Sequence, residues 1–406
     1  MRRFLSIASL CTLAILLSFA PSGQGQGRDS HRSDEISPPR EIIFLYLHYD
    51  RGDITLQEAE LRRGYLPGYK LQPSTGYRAE LIDNEDQRLF AVTFEPPLLI
   101  MSPPPLPGDR GEEAFLTLQE TDFALILPYS RLASRVDIVD PRGITHLSIG
   151  VHEMKDRTER WPPIAPRPVK AGLVPGAFKI LFIGDDYTTA DLPLFQSDVL
   201  AHSALLLSVE PFATYAAEME TLRLDNTQDL GCYHHPVMTR LILCDHTKVL
   251  AVASASPYDE IIVLVNDDEY GGSGLITIGG GGSTTYAVAY HDVNAWGRQV
   301  TVHEFGHSFG GLMDEYESGI PTGPSIAPNC SDDPTSWSDI TPEFYLGCSY
   351  GNLYRSTYSD CLMRTLVPDT GFHYCLVCQR KRLEPLLDAL LGLDHRVFLP
   401  LIMNNY

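Results

Sequence analysis

Two almost uninterrupted apolar runs constrain the fold of this 406-residue chain most strongly. Residues 178–183 and 261–265 are apolar at nearly every position, and polar residues follow each run. Runs without alternation are typical of strands that are buried on both faces of a sheet. Residues 189–207 lie between them and repeat apolar side chains at helical spacing. Strand, helix and strand in this order predict a mixed α/β sheet.

Residues 41–155 show a different pattern, in which short β-prone segments alternate with turns. Residues 77–82 alternate with period two, and prolines at 103–105 break the series. This pattern predicts an N-terminal β-sandwich with an accessory role. The proline-rich residues 156–175 predict an extended linker, so the larger α/β domain would occupy residues 176–392.

The two ends of the chain differ from its interior. Arg2 and Arg3 precede an apolar run that ends near Ala20, and a small, turn-rich stretch follows it. This pattern predicts a signal peptide at residues 1–26, with a retained membrane anchor as the alternative. Residues 27–40 are polar and predict a tether. The apolar tail 393–406 is interpreted as a final strand or as a recognition tag for surface attachment. The expected location is extracellular or on the cell surface.

The charge of the chain excludes some partners. Lys and Arg number 31 against 52 Asp and Glu, which gives a formal net charge of -21. A surface this acidic repels nucleic acid and anionic lipid. After removal of the signal no segment is long and apolar enough to span a bilayer. The pattern predicts no oligomeric state.

Seven cysteines follow the predicted signal, and all lie in the C-terminal half. Export makes disulfides plausible, while the odd number leaves one thiol over. Proximity in sequence favours Cys232–Cys244 and Cys330–Cys348, with Cys361 joined to Cys375 or Cys378. The Cys375-x-x-Cys378 pair has two alternative interpretations, half of a structural zinc site or a redox pair.

A glycine-rich stretch covers residues 271–282. It lacks the Gly-Lys-Ser/Thr ending of a phosphate loop, and the acidic chain disfavours phosphate. We interpret residues 275–278 as a short strand between two turns. That strand is either part of an ordinary hairpin or a sheet edge at which an extended peptide adds its own backbone.

The chemistry of the chain is concentrated in the motif His303-Glu304-Phe305-Gly306-His307. Residues four apart lie on one face of a helix, so both imidazoles can reach the same metal ion, and zinc suits such nitrogen ligands. Glu304 lies beside them as a general base for water that zinc activates. Val300, Val302 and Phe309 predict that the helix is held in the core.

A catalytic zinc needs a third protein ligand. Gly310 and Gly311 predict the end of the helix and a sharp turn, after which Asp314 and Glu315 are the next groups able to return to the metal. We favour Asp314, with Glu315 as the alternative. The structural alternative for either residue is a surface carboxylate.

Several segments of the second half share one resemblance. They are residues 182–188, 265–266, 270–272, 303–316, 361–364 and 372–378. Together they resemble the IgA peptidase family of zinc metallopeptidases, which is metzincin-like, over about residues 176–390. The resemblance implies a zincin domain with a mixed sheet and an active-site helix, and residues 41–155 resemble the N-terminal β domain of the family.

The resemblance also implies roles for single residues. His303 and His307 become zinc ligands, Glu304 the catalytic acid and base, and Met363 the methionine beneath the metal. Many metzincins place the third ligand three residues after the glycine matched by Gly310. Met313 stands at that position here, and the extra glycine shifts the acid to Asp314.

The position two residues after Met363 lacks the tyrosine of the pattern and holds Thr365. The oxyanion-stabilising residue therefore stays open among Tyr354, Arg364 and His373.

Two functions remain in competition. The first is a secreted zinc endopeptidase that acts on a protein or peptide substrate, and the second is a secreted or surface-bound binding protein that retains the peptidase fold without catalysis. The intact motif favours the first. The family does not specify the substrate, because fold and motif determine the chemistry better than the target.

Overall fold

The protein is described by a computed structural model that covers residues 39–68, 75–106, 115–157, 165–169, 176–277, 284–291 and 296–392. The predicted signal, almost all of the tether and the C-terminal tail lie outside these ranges. Among the helices in the described part of the chain, none is long and apolar enough to cross a membrane.

The first half of the described chain consists almost entirely of strands. These are β1 (Arg40–Asp50), β2 (Asp53–Gly64), β3 (Tyr77–Asp83), β4 (Arg88–Phe94), β5 (Leu99–Met101), β6 (Phe115–Thr117), β7 (Glu120–Pro128), β8 (Ala133–Val139), β9 (Thr145–Gly150) and β10 (Lys155–Asp156). A short 3-10 helix, Val151–Glu153, follows β9.

Eight of these strands form two four-stranded sheets, with strand orders β10-β2-β1-β7 and β4-β3-β8-β9. Their apolar side chains meet in one core, to which β1 contributes Ile43, Leu45 and Leu47. The two sheets are therefore packed face to face, as period-two alternation requires when one face of each sheet is buried.

The second half mixes strands and helices. Its strands are β11 (Arg167–Pro168), β12 (Phe178–Asp185), β13 (Met219–Leu224), β14 (Tyr233–His234), β15 (Ile242–Leu243), β16 (Glu260–Val265), β17 (Gly272–Ile276), β18 (Ala287–Tyr290), β19 (Glu317–Ile320) and β20 (Tyr345–Arg355). Its helices are α1 (Leu192–Leu206), α2 (His246–Ala253), α3 (Trp296–Ser308), α4 (Leu376–Cys378) and α5 (Glu384–Leu391), with a 3-10 turn at Pro334–Trp337 and a π turn at Gln379–Leu383.

An eight-stranded mixed sheet forms the centre of this half, with the order β11-β13-β12-β16-β18-β17-β5-β6. The two apolar runs become β12 and β16, which pair in parallel, and β18 continues the parallel set. The predicted mixed α/β sheet is confirmed. The helix predicted between the two runs is α1.

The two halves of the chain share strands and core. β5 and β6 come from the N-terminal half, yet they extend the large sheet by pairing with β17. Strand β1 is buried on both faces, because Ile42 and Phe44 belong to the core of the α/β half while Ile43 and Leu45 belong to the sandwich core. The domain limits at residues 155 and 176 remain a prediction.

The glycine-rich stretch supplies β17, which begins at Gly272, three residues before the predicted start of the strand. The strand pairs with β18 on one side and with β5 on the other. Ile278, the last residue of the predicted strand, and the predicted turn at residues 279–282 lie outside the described residues. Along its described length β17 therefore has no free edge, and β5 occupies the position that an added peptide strand would take.

Candidate metal centre

Helix α3 lies in the main core and carries the motif. Val300, Val302 and Phe309 are all buried in that core, as predicted. The helix turns sharply where the amide of Gly311 donates to the carbonyl of His307 over 2.8 Å, and Gly311 has a φ of +60°. Left-handed backbone of this kind suits glycine and ends a helix, so the chain after it returns toward the motif.

The two motif histidines face each other on this helix. His303 Nδ1 donates to the carbonyl of Leu362 over 2.8 Å, and His307 Nδ1 donates to the carbonyl of Leu312 over 2.6 Å. These bonds leave Nε2 of each neutral ring as the atom with a free lone pair. The two Nε2 atoms lie 3.0 Å apart, and both side chains are 0% exposed.

Asp314 completes this group. Its Oδ1 lies 3.1 Å from Nε2 of His303 and 3.3 Å from Nε2 of His307. Burial alone would raise the pKa of Asp314, but the two histidines lower it below its ordinary value. Glu315, the alternative third ligand, is turned away, and its Oε1 lies against the sulfurs of Cys375 and Cys378.

The carboxylate of Glu304 is buried beside the histidines. Neither of its oxygens has a hydrogen-bond partner among the described residues. Burial, and secondarily the charge of Asp314, raise its pKa well above that of an ordinary glutamate. Strand β17 passes directly over this region, since a Cβ at Gly274 would lie 2.5 Å from Cβ of His307 and 3.1 Å from Glu304 Oε2. Glycine at position 274 therefore permits the close approach.

A metal ion fits the donors in this group. Two unprotonated ring nitrogens and one carboxylate oxygen face one another at 3.0–3.3 Å. Buried lone pairs so close together repel unless a cation lies among them. The hydrogen bonds from Nδ1 to backbone carbonyls are the orienting bonds that metal-ligating histidines usually make. Imidazole nitrogen and carboxylate oxygen are a donor set that suits zinc.

The structure also places the other residues named from the sequence. Met363 is fully buried, and its sulfur would lie 2.7 Å from a Cβ at Gly306, so it packs directly against α3. Of the oxyanion candidates, Arg364 donates to the carbonyl of Glu315 and His373 bonds the carbonyl of Gly371. Tyr354 exchanges backbone hydrogen bonds with Ser331. These bonds support local loops, and the oxyanion role stays open.

Three side chains near the motif were missed in the sequence. Each of them donates a hydrogen bond to a backbone carbonyl of the segment 102–104, which follows β5. The three residues are Arg240, Tyr270 and Tyr316. Arg240 Nε bonds Pro103, Tyr270 Oη bonds Pro104 and Tyr316 Oη bonds Ser102, over 2.8, 2.6 and 2.6 Å. No local signal could have found them, because pairing of β5 with β17 brings the segment there.

Two of the three predicted disulfides are present. Cys232–Cys244 and Cys330–Cys348 are confirmed. The prediction that Cys361 joins Cys375 or Cys378 is wrong, since all three are free and buried. Their thiols instead surround the carboxylate of Glu315, which sequence proximity could not reveal.

The fold and the site together define a class. A mixed α/β sheet carries a helix with two histidines one turn apart, a glutamate beside them and an acid after a glycine turn, which is the HExxH type of metallopeptidase site.

The comparison with protein families agrees with this class. Residues 224–328 match the family model IgA Peptidase M64, so the resemblance is confirmed over that range, and the match indicates a metallopeptidase, a hydrolase of peptide bonds. The matched residues include α3 and Asp314. None of the curated proteins compared with the chain matches it.

Proposed function

We propose that the protein is an exported, zinc-dependent endopeptidase in which His303, His307 and Asp314 hold the metal and Glu304 moves the proton. The observation that carries this proposal is the convergence of two unprotonated ring nitrogens and a carboxylate oxygen within 3.3 Å. A buried carboxylate lies next to them and has no hydrogen-bond partner among the residues that the structure describes.

Each residue has a separate task. Zinc, when bound, supplies a Lewis acid that promotes attack by water on a carbonyl carbon. The Nε2 atoms of His303 and His307 and the Oδ1 atom of Asp314 hold it, while the carbonyls of Leu362 and Leu312 fix the ring orientations. Glu304 accepts a proton from the attacking water at its carboxylate and returns it to the leaving amine nitrogen as the peptide C–N bond breaks.

Export is supported by two features. The N-terminal sequence has the pattern of a signal peptide, and two disulfides form in the described part of the chain. Cytosolic proteins rarely keep structural disulfides, because cellular thiols reduce them. The natural substrate is a protein or peptide, and no feature of the chain points to immunoglobulin A.

The test compares wild-type protein with Glu304→Gln on a broad peptide library. We expect cleavage by the wild type and a loss of about 10³-fold or more in the variant, since general acid–base catalysis contributes on that scale. Zinc content should stay equal in the two proteins, because Glu304 is not a ligand. Glu120→Gln, an exposed change at the start of β7, serves as the matched control and should keep full activity.

Equal cleavage by the wild type and Glu304→Gln would contradict the proposed role of this residue. Zinc binding without cleavage of any peptide would favour the alternative, a binding protein that retains the peptidase fold.

A further inference from the structure

A second cluster of metal-binding side chains lies behind the motif helix. It consists of Cys361, Cys375, Cys378 and Glu315, which we call the sulfur cluster. All four side chains are buried, and one donor atom from each lies within 4.8 Å of the others. Cys375 caps helix α4 and Cys378 ends it, so two of the sulfurs come from one turn of chain.

The spacing of the donors has the size of a tetrahedral coordination shell. Sulfurs bound to zinc at 2.3 Å are about 3.8 Å apart along a tetrahedral edge. The sulfurs of Cys361 and Cys378 lie 3.8 Å apart, and Glu315 Oε1 lies 3.2 Å from Cys378 and 3.6 Å from Cys375. A disulfide would require about 2.05 Å between sulfurs, so these groups are in contact without being bonded.

Hydrogen-bond donors point at three of the four groups. The amide of Cys375 donates to the sulfur of Cys361 over 3.3 Å, and the amide of Cys378 donates to the sulfur of Cys375 over 3.5 Å. Asn329 Nδ2 donates to Glu315 Oε1 over 3.3 Å. The second oxygen, Oε2, is buried and has no hydrogen-bond partner within the described residues. When they are ionised, a carboxylate and three thiolates packed this closely need a cation to balance their charges.

The redox state of the chain leads to the same conclusion. Four other cysteines form two disulfides, whereas these three stay free although their sulfurs are in contact. Metal coordination explains why neighbouring thiols in such a chain remain unpaired, because a thiolate bound to zinc is withheld from disulfide formation.

We propose that Cys361, Cys375, Cys378 and Glu315 bind a second zinc ion in a closed, structural site. Three sulfurs and one oxygen fill a tetrahedral shell and leave no open position.

The second zinc site holds the chain around the motif. Glu315 follows Asp314 directly, and its amide donates to the carbonyl of Met363 over 2.7 Å. Cys361 directly precedes Leu362, whose carbonyl accepts the hydrogen bond from His303. The second site therefore fixes the two segments that orient Asp314 and His303, which is a positioning role and not a catalytic one.

Cobalt substitution of the full chain tests this proposal. Thiolate ligands give cobalt(II) a charge-transfer absorption in the near ultraviolet, which nitrogen and oxygen ligands do not give. We expect this absorption in the cobalt-loaded wild type and in His307→Ala, which alters only the motif group. We expect its loss in the double variant Cys361→Ser, Cys378→Ser, together with one zinc fewer per chain.

Two measurements on wild-type protein do not depend on how the variants fold. After denaturation without reductant, alkylation and mass spectrometry should find Cys361, Cys375 and Cys378 as free thiols. A disulfide among the three would overturn the proposal. So would a cobalt-loaded wild-type protein without thiolate absorption. Neither result would bear on proteolysis by the motif group, so failure here is distinguishable from failure of the proposed function.

Discussion

The motif group and the sulfur cluster are neighbours that differ in one decisive respect. Asp314 belongs to the first and Glu315 to the second, so two adjacent acids face opposite ways. The motif group gathers two nitrogens and one oxygen beside Glu304, whose oxygens have no hydrogen-bond partner among the described residues. The sulfur cluster gathers three sulfurs and one oxygen, a complete tetrahedral set.

This difference distinguishes a metal site suited to catalysis from one suited only to stabilising the structure. Three protein ligands leave a coordination position for a substrate, whereas four ligands fill the shell. The carboxylate of Glu304, unpaired among the described residues, lies beside the motif group and is suited to accept a proton there. We therefore assign turnover to the motif group and rigidity to the sulfur cluster.

The largest expected effect comes from Asp314→Ala, which should break the motif group alone. Loss of a ligand removes the Lewis acid, and several kcal/mol of transition-state stabilisation correspond to at least about 10³-fold in kcat/KM. Zinc analysis should find one ion fewer per chain, while the thiolate absorption of the cobalt form remains. Asp332→Ala, an exposed change nearby in sequence, is the control and should keep both metals. Full activity in Asp314→Ala would refute its role as a ligand.

A smaller effect is expected on the free energy of unfolding, which should depend on pH through His246. This histidine is buried and lies outside both clusters. Its Nδ1 accepts from the amide of Ala124 and its Nε2 donates to the carbonyl of Thr284, so protein groups satisfy both nitrogens, unlike those of His303 and His307. Burial lowers its pKa from 6.5 to about 4. The neutral ring is therefore favoured in the folded state, and its contribution to stability is complete above pH 6.5.

As the pH falls from 6.5 toward about 4, His246 becomes protonated in the unfolded chain but stays neutral in the folded protein. The free energy of unfolding should fall by about 1.4 kcal/mol per pH unit from this residue. Urea unfolding at several pH values measures the slope. His246→Gln should flatten it, whereas His152→Gln, a change at a side chain that is 82% exposed, should not. Equal slopes for wild type and His246→Gln would contradict this explanation.

The smallest expected effect comes from Gly274→Ala, which sharpens the distinction between the two groups. The added Cβ would lie 2.5 Å from Cβ of His307 and 2.8 Å from the carbonyl of Glu304, so strand β17 must move away from helix α3. Overpacking of this kind costs about 1–3 kcal/mol of unfolding free energy. Activity should fall while the sulfur cluster keeps its metal. The exposed change Glu120→Gln serves as the control and should leave activity unchanged. Loss of the cluster metal in Gly274→Ala would show that the two groups are not separable.

Local patterns in the sequence predicted the parts of the molecule that depend on local physics. The apolar runs became β12 and β16, and the four-residue spacing on α3 brought His303 and His307 together. These features follow from strand burial and helix periodicity, which neighbouring residues determine.

The remaining features depend on contacts between distant segments. Asp314 and Glu315 were not separable in the sequence, because the direction of each side chain after Gly311 depends on Met363 and Asn329. The disulfide predicted for Cys361 was wrong. Proximity in sequence could not show that the carboxylate of Glu315, which is distant in sequence, lies among the three thiols. The pairing of β5 with β17, which brings the segment 102–104 beside the motif, has no local signal either.

Anomalous diffraction from crystals of the protein, measured at the zinc absorption edge, tests the central claim most directly. We predict a zinc peak among Nε2 of His303, Nε2 of His307 and Oδ1 of Asp314. An active protein without metal at these three atoms, or with zinc bound there through Glu315 in place of Asp314, would contradict it.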